Sequence, residues 1–364
     1  MMQPPFNLER LGTLMSPLTG DPAEAWGVLN PATARKGDDL FLFPRLVAEG
    51  NYSRIGRARV IFDGAGTPVD VERLGIALEP REAWELHHGG GGVEDPRITY
   101  LPRLGRWIMA YSAFGPLGPR IGLAASTDLE RWDRLGPVSF AYDPQLATDL
   151  NLYTNKDAVL FPEPVVDPSG SPAYAMLHRP TWDLSLIRPG EGEVVPFGVA
   201  DPRSGIWMSF ASASAVEADL QAVTRFDQHR LIALPEQGWE ALKIGGGPPP
   251  VRVAEGWLAL YHGVSGTLAR DLEPQRHVRY CAGALILDAA DVTSVVARSV
   301  APLLEPELPD ERSGIVPNVV FPTGIEPVDD GPSPAYHVFY GMADARIGVA
   351  ILRRNNHFEQ GAVS

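Results

Sequence analysis

The chain has 364 residues, 45% of them hydrophobic and 21% charged, ordinary proportions for a protein able to bury a sizeable core. A formal net charge of −14 argues against nucleic acid or an anionic membrane as the main partner, because both demand a basic surface; a small anion in a locally basic pocket stays open. Cys281 is the only cysteine, which excludes an internal disulfide and a cysteine-built metal site.

In chain order, Met1 to Asp21 shows no basic segment followed by an apolar one, so no secretory signal is expected. No apolar run approaches the ~20 residues of a membrane span, and the cytoplasm is the expected location. Short β-type runs then follow: Leu40–Phe43, Arg59–Phe62, Trp107–Ser112, Ala173–Leu177, Trp257–Tyr261, Ala282–Leu287 and His337–Tyr340. Each is bounded by Gly, Pro, Asp or Asn. Helical spacing is confined to Ala23–Trp26 and Ser214–Ala222. The 37 glycines and 35 prolines are spread rather than clustered, as many short strands joined by turns require. The reading is all-β, in one domain spanning 1–364.

A repeat underlies these strands. Ile55-Gly56-Arg57-Ala58-Arg59, Ile121-Gly122-Leu123-Ala124-Ala125 and Ile347-Gly348-Val349-Ala350-Ile351 share one pattern, with Cys281-Ala282-Gly283-Ala284-Leu285 a looser copy. The first two copies lie 66 residues apart, as do the last two, but 160 separate the middle pair. An insertion or a degenerate copy is therefore expected between them. A unit of roughly 70 residues with about four strands divides the chain into about five, the pattern of a β-propeller. A pair of β-sandwiches is the alternative.

The densest motif is His87-His88-Gly89-Gly90-Gly91-Gly92-Val93-Glu94-Asp95-Pro96-Arg97. A phosphate-cradling loop would continue with Lys and Ser or Thr into a helix; acids and a proline follow instead. Glu94 and Asp95 enter a strand (Ile98-Thr99-Tyr100), where a propeller aims side chains at its channel. A solvated glycine turn is the plainer reading. Lys156-Asp157 and His178-Arg179-Pro180 each sit at the end of an apolar segment, and pairing of those strands would gather Lys156, His178 and Arg179. Surface salt bridging would explain each alone. His262 ends the strand Trp257–Tyr261 before Gly263; a satisfied core histidine is the alternative. No metal-ligand spacing, Gly-x-Ser-x-Gly elbow or dinucleotide fingerprint is present.

Taken in order, these stretches resemble glycoside hydrolase family 130, the β-mannoside phosphorylases and related β-mannosidases. The matching residues are Gly92–Thr99, Lys156-Asp157 with Leu160-Phe161-Pro162-Glu163, Leu177–Pro180, Lys243-Ile244-Gly245, Gly256-Trp257-Leu258 with Tyr261–Val264, Asn318–Pro322 and Tyr340-Gly341 with Asp344. The resemblance implies a five-bladed β-propeller and an inverting reaction. Phosphate attacks the anomeric carbon of a β-mannoside, giving α-mannose 1-phosphate and a shortened acceptor. It implies Asp95 as the proton donor. The candidate phosphate ligands are Arg45, Lys156, His178, Arg179 and His262. Asn30, Arg59, Glu94, Arg97, Asp157, Lys243, Tyr261 and Asp344 are the candidate sugar contacts.

The chemistry fits that asymmetry. An inverting hydrolase needs a second carboxylate to activate water, whereas phosphate is itself a nucleophile that cations can hold in line. No cofactor is expected beyond inorganic phosphate as co-substrate, and the partners are a small carbohydrate and phosphate, with a homo-oligomer open. Hydrolysis of the same linkage and a non-catalytic carbohydrate-binding propeller are the alternatives. The glycine run, denser than the family motif, is expected to let the backbone approach the sugar.

Overall fold

The structure, a computed structural model, describes residues 3–185, 188–268, 275–328 and 334–355. It is all-β. Strand β1 (Phe6–Met15) is followed by five antiparallel meanders. Meander I comprises β2 (Gly27–Lys36), β3 (Asp39–Ala48), β4 (Tyr52–Phe62) and β5 (Pro68–Leu78), and meander II comprises β6 (Gly91–Leu101), β7 (Arg106–Gly115), β8 (Gly118–Ser126) and β9 (Asp133–Pro137); a short parallel pairing of β4 with β6 joins the two into one eight-stranded sheet. After the two-residue β10 (Ser139–Phe140), meander III uses β11 (Thr154–Leu160), the short β12 (Val165–Val166), β13 (Pro172–Thr181), β14 (Ile206–Ser212) and β15 (Arg225–Ala233). Meander IV has β16 (Lys243–Gly246), the short β17 (Val251–Val253), β18 (Gly256–Thr267), β19 (His277–Leu287) and β20 (Val295–Arg298). Meander V is β21 (Val320–Val328), β22 (Ala335–Met342) and β23 (Arg346–Arg354), and β1 pairs with β23 as its fourth strand.

All seven expected strand segments lie inside strands. The two helical stretches are shorter than their spacing suggested. Pro22–Glu24 is one 3₁₀ turn, and Ser214–Ala222 is divided between α1 (Ala213–Ala218) and a 3₁₀ turn at Leu220–Thr224. Asp219 divides them, its extended backbone ending α1 while its carboxylate caps the next turn at Gln221. Among the described residues no helix is long and apolar enough to cross a membrane.

Period-2 alternation explains the packing. On β13, Tyr174 and Met176 enter an apolar layer shared with meander II, while Ala173, Ala175 and Leu177 enter the layer shared with meander IV. On β18, Trp257, Ala259 and Tyr261 face meander III, and Leu258 and Leu260 face meander V. Further layers join I to II around Phe43, Ile55 and Met109, and V to I around Val28, Leu42 and Phe339. Strands buried on both faces read as continuous apolar runs, which is why the central strands stood out in the sequence.

The Ile-Gly-x-Ala repeat marks the third strand of a meander. Gly122, Gly283 and Gly348 lie opposite Tyr111, Tyr261 and Tyr340 of the second strand. A Cβ on any of the three glycines would meet that tyrosine's ring within 2.5–2.9 Å. Each tyrosine hydroxyl donates to a buried glutamate on the connection entering its meander: Tyr111 to Glu85 at 2.7 Å, Tyr261 to Glu240 at 2.7 Å and Tyr340 to Glu311 at 3.0 Å. An arginine of the fourth strand completes each set, Arg134, Arg298 and Arg10 respectively. Meander I keeps the Glu24–Arg73 pair but has Pro44 where the tyrosine would stand. Meander III has no such glutamate pair; His178, Ser209 and His229 form a buried chain across β13, β14 and β15 instead, at 2.7 and 2.8 Å. That is the degenerate copy behind the 160-residue gap.

Candidate active site

The first strands of meanders I, II and III break register at the same place. Asn30, Asp95 and Asp157 each take a left-handed backbone, with φ of 44°, 47° and 57°, and each sits in a bulge against the second strand. Asn and Asp are the non-glycine residues that tolerate this conformation best, and a bulge re-aims its side chain. All three side chains consequently line one cavity of about 680 Å³. The second strands contribute at a matching register: Arg45 lies opposite Leu29, Arg179 opposite Lys156 and His262 opposite Gly245. Lys156, Lys243, Tyr280, Phe321 and Asp344 also line the cavity.

One pole of the cavity is built around Asp95. Asn30 Nδ2 donates to Asp95 Oδ1 at 2.8 Å and Arg45 Nη1 to the same oxygen at 3.3 Å. Arg45 also reaches Glu94 at 2.9 Å, and Lys156 donates to the other Glu94 oxygen at 3.1 Å. Burial alone would raise the Asp95 pKa, but Arg45, Lys156, Arg97 and the Asn30 amide hold it below the ordinary carboxylate range. Asp344 goes the other way. Burial and the charges of Asp95 and Glu94 push it up to about 6 against the pull of Arg45 and Lys156.

The opposite pole is basic. Arg179 Nε donates to Asp157 Oδ2 at 2.6 Å, and His262 Nε2 lies 3.7 Å from that oxygen. Despite burial, Arg179, His262 and Arg97 hold Asp157 well below the usual carboxylate range. Lys243 sits over the Tyr280 ring, 5.5 Å from its centroid. Burial and the neighbouring Arg179 lower its pKa to about 7. His262 stacks near Phe321 with ring centroids 4.3 Å apart. Burial, with Arg179, Arg97 and Lys243 adding, takes its pKa down to about 3 even against Asp157. It is a neutral imidazole, not a cation, and among the described residues its Nδ1 is buried without a hydrogen-bond partner.

Several sequence candidates lie elsewhere, for identifiable reasons. Arg59 is on the exposed face of β4, paired with Glu72 and Asp39; two-fold alternation put it with Arg57 on the side away from the cavity. His178 is buried between Asn155 and Ser209 in the chain of meander III, and burial keeps it neutral. Tyr261 occupies the equivalent place in meander IV, bonded to Glu240. In both, the neighbour one residue on (Arg179 or His262) faces the cavity, because adjacent strand residues point opposite ways. Glu94 and Arg97 are buried beside the cavity wall: Glu94 ties Arg45 to Lys156, and Arg97 donates to the Asp95 carbonyl at 2.6 Å. Lys243, expected at the sugar, stands with the basic pole.

The glycine run packs against meander I. Gly90, Gly91 and Gly92 have φ of 101°, 101° and 113°, and β6 enters in parallel register against β4 through Tyr52–Gly91 and Ser53–Gly92. A Cβ at Gly90 would stand 2.5 Å from the Gly50 carbonyl and one at Gly92 would overlap the Ser53 carbonyl. The close approach is to the neighbouring meander. Tyr280, Phe321 and Phe114 were missed as cavity residues. The Asn30-Pro31 and Asp95-Pro96 pairs were the available signal that two strands share one bulge.

Comparison with known proteins agrees with this architecture. The family profile described as beta-1,4-mannooligosaccharide phosphorylase matches residues 15–357. The chain is 31% identical to a beta-1,2-mannobiose phosphorylase of Thermoanaerobacter sp. (strain X514), over 96% of this chain and 98% of that one. It is 34% identical to a 1,2-beta-oligomannan phosphorylase of the same organism, over 72% of this chain and 68% of the relative. Among solved structures it resembles the beta-1,2-mannobiose phosphorylase from Listeria innocua in its beta-1,2-mannobiose complex. The TM-score is 0.68 at 22% identity, covering 98% of both chains, a likeness of fold.

Proposed function

The chain belongs to glycoside hydrolase family 130, and on that premise we propose that it is an inverting phosphorylase of β-mannosides. In this reading a β-mannosyl disaccharide or oligosaccharide and phosphate yield α-mannose 1-phosphate and a shortened acceptor. The fold is read as a single five-bladed β-propeller. Its support is five antiparallel meanders, each with four main strands once the short β12 and β17 are set aside and β1 completes the fifth, whose apolar layers join each to the next and the last to the first.

The observation that carries the function is the charge asymmetry of the cavity. Asp95 stands at one pole; Arg179 and Lys243, with the neutral donor His262, stand at the other. Displacement with inversion places nucleophile and leaving group on opposite faces of the sugar. Phosphate fits the basic pole, and the departing oxygen takes its proton at the Asp95 pole. A hydrolase would need a carboxylate base where the phosphate sits. Asp157 is there, but its ion pair with Arg179 leaves it too weakly basic for that task. Asp95 is itself held ionised by Arg45 and Lys156, so it takes up the proton it delivers from solvent as substrates bind; a phosphate anion in the same buried cavity, though at the far pole, adds negative charge that favours this protonated form.

Beside Asp95, Asn30, Arg45, Lys156 and Asp344 are the contacts for the mannosyl hydroxyls; Arg45 and Lys156, expected at the phosphate, are assigned to the sugar because they bind the carboxylates of the acid pole. No cofactor takes part in this scheme. Incubation with β-mannobiose, with and without phosphate, tests it. Phosphate-dependent cleavage with mannose 1-phosphate as product is expected, and equal cleavage without phosphate to free mannose alone overturns it.

A further inference from the structure

Among the described residues three Phe and Tyr rings line the cavity beside the His262 imidazole: Phe114, Tyr280 and Phe321. Tyr280 and Phe321 flank His262, at 5.9 and 4.3 Å between centroids, and belong to the basic pole. Phe114 does not. It ends β7, half-buried, and Lys156 Nζ lies over its ring, 5.7 Å from the centroid. The same Lys156 binds Glu94, and Glu94 binds Arg45, which reaches Asp95. Phe114 is therefore the aromatic surface on the side of the acid.

From this placement we propose that Phe114 is the stacking platform for the leaving sugar, and that the glycine run sets its position. The inference rests on the phosphorylase reading for which side the sugar leaves. If phosphate enters from the pole of Arg179 and Lys243, the leaving sugar lies at the pole of Asp95, beside this ring. An apolar ring face complements the C–H face of a pyranose, and Pro119, paired with Phe114 across the β7–β8 turn, extends the apolar wall.

Gly91 is what allows the ring its position. A Cβ there would stand 2.9 Å from the Phe114 ring edge and 3.0 Å from its Cβ, so any larger residue would displace the platform. His87, exposed in the loop before the glycines, meets the ring edge-on at 5.8 Å and 75°. Gly90 and Gly92 thus hold the loop close against the neighbouring meander and Gly91 seats it against Phe114, so in this proposal the choice of leaving sugar is written on this loop and ring.

The test compares β-mannobiose with β-mannosyl fluoride, whose leaving group has no ring to stack, using F114L to keep apolar volume and G91A to displace the ring while leaving it present. F114L is expected to raise the KM for β-mannobiose roughly tenfold, equivalent to about 1.4 kcal/mol. The KM for β-mannosyl fluoride stays within about twofold in this scheme, and F114W restores the disaccharide value. G91A is expected to raise the β-mannobiose KM in the same selective way. An unchanged β-mannobiose KM in F114L, or an equal rise for both substrates, overturns the proposal. The ratio is read whether phosphate or water accepts the mannosyl group, so a parent enzyme that ignores phosphate would refute the phosphorylase reading separately.

Discussion

Asn30 Nδ2 donates to Asp95 Oδ1 over 2.8 Å, and the two residues occupy the same left-handed bulge on the first strands of neighbouring meanders. One repeated backbone device therefore supplies both the carboxylate and the amide that orients it. Asp157 repeats the device once more, where Arg179 replaces the amide as partner. The cavity is a variation on a repeat, with the chemistry changed at each copy.

If Asp95 protonates the leaving oxygen, D95N is expected to lower kcat for β-mannobiose by on the order of 10²–10⁴. A dinitrophenyl β-mannoside, whose leaving group needs no proton, is expected to lose far less. Steady-state rates on the two substrates check this; equal losses on both would assign Asp95 to positioning.

Lys243 titrates near neutrality because of burial beside Arg179, at about 7. Its charge attracts an anion only while it is protonated, so anion affinity falls as pH rises through 7. Sulfate carries a constant charge in this range, which makes it the better probe than phosphate. The protonated fraction falls from about 0.9 at pH 6 to about 0.1 at pH 8, so sulfate inhibition is expected to weaken by up to about tenfold across that range. K243R, charged throughout, is expected to flatten that profile.

Asp344 has a folded-state pKa of about 6, above its ordinary 3.8. The fold favours its protonated form, so its contribution is fully present below the ordinary value and is lost as pH rises from about 4 to about 6. D344N, neutral at every pH, is expected to gain stability relative to the parent across that window and to hold the gain above it. Urea midpoints at pH 4, 5, 6 and 8 read the difference.

Tyr261 and Arg59, both expected at the sugar, separate cleanly in stability. Y261F leaves the buried Glu240 one donor short and is expected to cost about 1–3 kcal/mol, with the KM for phosphate unchanged. R59A removes an exposed ion pair and is expected to stay within about 0.5 kcal/mol. Chemical denaturation and phosphate kinetics on the two variants check both statements.

The all-β class was legible in the sequence because strands buried on both faces must be apolar along their length, and because Gly and Pro mark the turns between them. The third-strand repeat was legible for a sharper reason: Gly122, Gly283 and Gly348 each face a tyrosine ring that leaves no room for a Cβ. Asp95 stood out from its motif and Arg179 from its register beside Lys156. What the same strings of residues concealed was direction. His178 and Arg179 are adjacent, as are Tyr261 and His262, and only one of each pair faces the cavity.

What the sequence determined by itself was the set of strands and the residue types available to a site, since these follow from local periodicity and turn chemistry. Only the tertiary structure decided which side chains share a cavity and which charges survive there. Side-chain direction depends on bulges and register, and the loss of charge at His262 depends on burial among Arg179, Arg97 and Lys243 from three meanders. The glycine run shows the same division. Its flexibility was readable from composition, but its partners, the Gly50 and Ser53 carbonyls and the Phe114 ring, come from chain segments that only the packing of meander against meander brings together.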